Sequence, residues 1–84
     1  MALPVEPVTL NVEQVAELNR KLSSLRHDIN NNLSLIMAAA ELARMKPETA
    51  GRMMNTLTEQ PLKITEAMNK FSVEFERTLG INRP

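Results

Sequence analysis

The chain has no cysteine, no tryptophan and no tyrosine, and its 84 residues include two phenylalanines, two glycines and one histidine. Each scarcity removes a class of protein. Without cysteine there is no disulfide framework and no thiolate metal site, a pattern that fits a reducing compartment. A single histidine leaves little for a metal to bind. Phe71 and Phe75 are the only aromatics, so there is no stacking platform for single-stranded nucleic acid. Acidic and basic residues number ten each and alternate along the chain, so no basic face marks a DNA or RNA partner. No apolar run approaches the ~18 residues of a membrane span. The opening Met1-Ala2-Leu3-Pro4 lacks the basic start and apolar stretch of a secretory signal. The expectation is a soluble, cytoplasmic chain.

A chain of this length is one small domain, hiding only ~60% of the surface that its unfolded form exposes. With disulfides and metals excluded, the remaining sources of stability are well-packed helices and self-association.

The residues that are present read as two long helices. Residues 1–10 contain Pro4 and Pro7 and no sustained period, and read as an extended arm. Asn11, followed three residues later by Gln14, is a capping-box signal for a helix start. Apolar residues then recur in steps of three and four: Val15, Leu18, Leu22, Leu25, Ile29, then Asn32, Ile36, Ala39 and Ala43. That is a heptad seam broken once, by Asn32. The first helix is expected over about 11–45. Lys46-Pro47-Glu48 interrupts it, because proline restrains the residue before it and suits the first turn of a new helix. A second helix is expected over about 48–79, with a seam of Met54, Leu57, Pro61, Ile64, Met68, Phe71, Phe75 and Thr78. Glu48/Arg52, Glu59/Lys63 and Glu66/Lys70 are spaced for i,i+4 ion pairs, each worth ~0.2–0.5 kcal/mol. Gly80 suits a left-handed cap with Ile81 supplying its apolar contact, and 81–84 form a tail.

Similar helix lengths and a short turn predict an all-α fold, an antiparallel two-helix hairpin. Leu33, Leu35, Leu42, Met53, Leu62 and Leu79 flank the seams. One hairpin cannot cover so broad a stripe, so a homodimer forming a four-helix bundle is expected. Met53, Met54 and Met68 read as helical core filling. Pro61 removes a hydrogen bond to the carbonyl of Leu57 at a cost of ~3 kcal/mol. The seam keeps its phase through it, which predicts a continuous, kinked helix.

The informative segment is Leu25-Arg26-His27-Asp28-Ile29-Asn30-Asn31-Asn32-Leu33. Leu25, Ile29 and Asn32 take the seam. His27 then projects away from it, Asn31 lies one turn later on the same face, and Asp28 sits at the seam's edge. Three consecutive mid-helix asparagines cost ~0.6 kcal/mol each relative to alanine. Packing alone does not call for them, and places where local rules fail are candidate functional sites. A phosphoryl-accepting histidine needs one open ring nitrogen and a partner for the other. A neighbouring carboxylate, here Asp28, can hold the tautomer and take a proton. The amide of Asn31 can orient a water or a phosphoryl oxygen. Such chemistry is mostly positioning, for which a rigid helix is a good mount.

His27-Asp28-Ile29-Asn30-Asn31 with Leu33 resembles the H-box of the HisKA-type dimerisation and histidine phosphotransfer domain of sensor histidine kinases. Roughly Asn11 to Leu79 matches that family's architecture. The resemblance implies a hairpin that dimerises, His27 as phosphoacceptor, Asp28 as acid/base partner and Asn31 as the residue supporting dephosphorylation of a response regulator. It also implies a receiver domain as partner. The chain departs from the family's kinases in having no ATP-binding domain. Gly51 and Gly80 cannot build a phosphate-cradling loop, so no cofactor is expected here. ATP and magnesium would be bound by a separate kinase domain or a missing one, and the chain alone is not expected to autophosphorylate. Excised domain and free-standing protein are both open readings.

The alternative is a non-catalytic dimeric adaptor, or a kinase mimic, with Asn32 setting register in the seam. That accounts for neither Asn30, Asn31 nor the His27-Asp28 pair. A monomeric histidine phosphotransfer protein fits poorly. That family has a lysine and a glycine soon after the histidine, where this chain has Asn30 and Asn31. Ser23, Ser24 and Ser34 share the helix with His27, but these residues assemble no hydrolytic triad.

Overall fold

The first helix begins where Asn11 and Gln14 exchange hydrogen bonds. In the computed structural model, which describes Pro4 and residues 6–81, the Gln14 backbone N–H donates to Asn11 Oδ1 at 2.7 Å and the Asn11 N–H to Gln14 Oε1 at 3.0 Å. The reciprocal pair satisfies two backbone donors at the helix start. Helix α1 then spans Val12–Met45. Lys46, held before a proline, leaves the helical region at φ −130 and ψ 83. Pro47–Thr49 forms a 3₁₀ turn, and Thr49 is buried with its hydroxyl donating to the Lys46 carbonyl at 2.7 Å. That extra turn moves the start of α2 to Ala50, two residues beyond the expected position, and α2 spans Ala50–Leu79.

Helix α2 runs unbroken through Pro61, which is exposed. Its end is a Schellman cap. Gly80 takes the left-handed conformation at φ 68, its N–H donates to Arg77, and the Ile81 N–H donates to the Glu76 carbonyl at 2.8 Å. Ile81 is buried there. Pro4, Glu6, Pro7 and Val8 of the arm line a shallow depression with Arg77–Gly80, so the arm meets the last turn of α2. Residues 1–3 and 5 of the expected arm, and the tail beyond Ile81, lie outside the described residues.

The two helices pack antiparallel. On α1 the shielded line is Leu18, Lys21, Leu25, Ile29, Asn32, Ile36, Ala39 and Ala43. On α2 it is Met53, Leu57, Gln60, Ile64, Ala67, Phe71, Glu74 and Thr78. This corrects the expected second seam. Leu57, Ile64, Phe71 and Thr78 belong to both, but Met54, Pro61 and Met68 stand exposed. The contact line runs along the neighbouring flank instead, putting Met53, Gln60 and Ala67 against α1. Periodicity counts apolar side chains; the hairpin's contact line accepts a glutamine and a glutamate that such a count passes over.

The expected ion pairs Glu48/Arg52, Glu59/Lys63 and Glu66/Lys70 do not form among the described residues. Exposed long side chains lose as much entropy on pairing as they gain in attraction. Instead Glu17 pairs with Arg20, and Glu41 with Arg44 at 2.5 Å. Lys21 Nζ reaches Glu74 Oε2 at 2.7 Å and thereby joins the two helices.

The hairpin has almost no closed core. Ala39 and Ile81 are the only buried hydrophobic residues among those described, and no large side chain is fully enclosed. Phe71 and Phe75 stack tilted, with ring centroids 5.9 Å apart, on an otherwise half-covered face. The molecule measures 57 × 28 × 11 Å. Its radius of gyration is 17.9 Å, where a compact chain of this length has about 12 Å.

Candidate functional site

Leu25 and Ile29 fix the orientation of the segment between them. Both face α2, and at 100° of rotation per residue His27, midway between, points to the outside of the hairpin. His27 is exposed, as are Asp28, Asn30 and Asn31, while Asn32 turns into the helix contact and is half-buried.

His27 and Asn31 are brought together. Asn31 Nδ2 lies 3.2 Å from His27 Nε2, an i,i+4 contact along the outer face of α1. Asp28 is placed differently. It makes no hydrogen bond to His27, and lines a groove of about 300 Å³ between the helices whose floor includes Leu25, Ala67 and Phe71. Sequence reasoning placed Asp28 at the seam's edge, and the 100° turn between consecutive residues puts it there, on the flank beside the helix contact and without a hydrogen bond to the ring.

The same groove holds residues that sequence reasoning did not single out, Lys21, Ser24, Lys70 and Glu74. Lys21 and Glu74 are 53 positions apart, so only the register of the folded hairpin reveals their pairing. Glu74 accepts from Lys21 and, at 3.2 Å, from Arg77. The Lys21 hydrogen bond, then the positive charge of Arg77, hold the Glu74 carboxyl below the usual carboxylate range. Glu17, one turn before Lys21, is likewise held low, chiefly by its hydrogen bond from Arg20. The groove beside Asp28 is therefore bridged by the Lys21–Glu74 ion pair, with Arg20 and Lys70 also on its lining.

Among the described residues no group of three or more histidine, cysteine, aspartate or glutamate side chains gathers to hold a metal ion. Nor is any helix long and apolar enough to cross a membrane.

Fold and site together define an all-helical antiparallel hairpin that presents one hydrogen-bonded histidine–asparagine pair on its outer face. No protein-family model, curated protein or solved structure matches the chain.

Proposed function

We propose that the chain is a histidine phosphotransfer and dimerisation module of a two-component signalling system, similar to the HisKA-type domain, with His27 as the phosphoryl acceptor. The observation that carries this reading is the exposed His27 held by Asn31 on a rigid helix, within a segment that resembles the H-box. In the reaction, a lone pair on a ring nitrogen of His27 forms the new bond to phosphorus. The bond from phosphorus to the donor oxygen breaks, and that oxygen leaves with the electron pair. The donor or acceptor partner is the aspartate of a receiver domain. A separate histidine kinase ATP-binding domain, carrying ATP and magnesium, is the other source of phosphoryl groups.

The reading includes a homodimer, and the distribution of apolar surface supports it. Met54, Pro61 and Met68 follow one another at heptad spacing along one flank of α2, all exposed. Val15, Leu22 and Leu33 lie on the corresponding flank of α1, also exposed. In an antiparallel pair these two flanks share one side of the hairpin, and the groove holding Asp28 is on the other. A second copy on the apolar side makes a four-helix bundle and leaves His27 and Asp28 open to a partner.

Radiolabel transfer tests the function. Wild type and His27→Ala are incubated with receiver domains, and with kinase ATP-binding domains plus ATP. Acid-labile label on wild type alone is the expected result. No label from any donor onto a folded dimer would move the assignment to a non-catalytic adaptor or kinase mimic. That second reading draws on the polar residues in the helix contact, Asn32 and Gln60, which suit register-setting.

A further inference from the structure

We infer that Asn31 is a positioning residue that selects the tautomer of His27, keeping the ring proton on Nδ1 and the lone pair on Nε2. The inference deepens the phosphoacceptor reading and rests on it for its purpose, but its content stands on geometry alone. Asn31 Nδ2 is 3.2 Å from His27 Nε2. An amide nitrogen carries hydrogens to donate and has no capacity to accept. The contact is therefore a hydrogen bond only where Nε2 is unprotonated, and a neutral imidazole with bare Nε2 carries its proton on Nδ1. Asp28 makes no hydrogen bond to the ring and lines the groove instead. The tautomer-holding task that sequence reasoning gave to the neighbouring carboxylate falls here to the amide one turn later.

The arrangement has a chemical consequence. A nitrogen that attacks phosphorus must offer a lone pair, and Nε2 is the ring nitrogen farther from the backbone. By donating to it, Asn31 favours the tautomer in which Nε2 is the nucleophile, and covers that lone pair while no partner is present. When the amide turns aside, Nε2 supplies the pair for the nitrogen–phosphorus bond. The donor oxygen departs with the pair from the broken phosphorus–oxygen bond, and Nδ1 keeps its proton until solvent removes it.

His27 is the only histidine, so its imidazole signals need no assignment. The full chain, labelled with nitrogen-15, is compared with Asn31→Ala and Asn31→Asp in mildly alkaline buffer. Long-range proton–nitrogen correlation reads the ratio of the two tautomers. An exposed i,i+4 hydrogen bond is expected to raise the Nδ1–H to Nε2–H ratio about twofold over Asn31→Ala. Asn31→Asp is expected to reverse the bias, because a carboxylate only accepts and draws the proton to Nε2. Equal ratios in all three proteins, with helicity unchanged by circular dichroism, overturn the inference. A tautomer shift without phosphoryl labelling supports the inference and removes the phosphotransfer reading. Labelling of wild type without a tautomer shift does the reverse.

Discussion

At the scale of single residues, the hairpin separates side chains by what they touch. His27 touches only its own helix, at Asn31, so His27→Ala is expected to abolish phosphoryl labelling and leave helicity and the unfolding midpoint unchanged. Lys21 and Glu74 join two helices, and their pair should be felt in the acid stability of the fold. The Glu74 carboxyl is lowered from its ordinary value of 4.5. The stability it contributes is thus present above that value and is lost as pH falls through the lower, folded one. Thermal unfolding followed from about pH 6 down to pH 3 should show the midpoint fall, and Lys21→Ala should flatten that fall. Arg20→Ala should flatten it less, since Glu17 and Arg20 lie on one turn of α1 and pair in an isolated helix as well. Gln60 is buried with Oε1 lacking a partner. A buried acceptor left unpaired costs about 1–3 kcal/mol, so Gln60→Leu is expected to gain stability of that order in urea denaturation. A loss would show that Oε1 is hydrogen-bonded across an interface between copies.

At the scale of elements, local chemistry is well expressed in the sequence. The capping box of Asn11 and Gln14, the break at Lys46-Pro47 and the left-handed Gly80 all sit where residue type predicts them. Each depends on groups within six positions of one another, so no tertiary information is needed. Gly80→Ala would place a Cβ at φ 68, and a loss of about 1–2 kcal/mol is expected, measured by urea denaturation. The contact line of α2 was less legible. Two heptad lines through Leu57, Ile64, Phe71 and Thr78 differ in whether Met54, Pro61, Met68 and Phe75 or Met53, Gln60, Ala67 and Glu74 complete them. Apolar counting favours the first, and the packed hairpin uses the second. The apolar line left outside is then the surface available to a further helix.

At the scale of the whole molecule, the exposed area bears on the proposed dimer. The chain exposes 6573 Å², where a compact monomer of this mass exposes roughly 5000 Å². The excess is comparable to the surface that a protein of ordinary size gives up to one partner or more, about 800 Å² each. The flank carrying Leu22 and Met68 is the part with the apolar character to be covered, these two side chains being 37% and 50% exposed. On an isolated hairpin, polar substitutions at such positions shift stability by only about 0.5 kcal/mol. Wild type is expected to sediment as a dimer at micromolar concentration. Leu22→Glu with Met68→Glu is expected to sediment as a monomer and to lose several times that energy. A wild-type monomer would remove the four-helix bundle.

The sequence by itself determined the two helices, their caps and the turn, and it singled out His27, Asp28 and Asn31. These depend on residue type and on spacings of a few positions, where backbone geometry leaves little choice. The tertiary structure decided which flank of each helix is spent inside the hairpin, and so which remains outside. It also decided that His27 is held by Asn31 while Asp28 turns to the groove with Lys21 and Glu74. The physical reason is register. A slip of one helix against the other leaves every local preference satisfied, yet changes which side chains meet across the interface. Only the packing of the two helices selects among those alternatives.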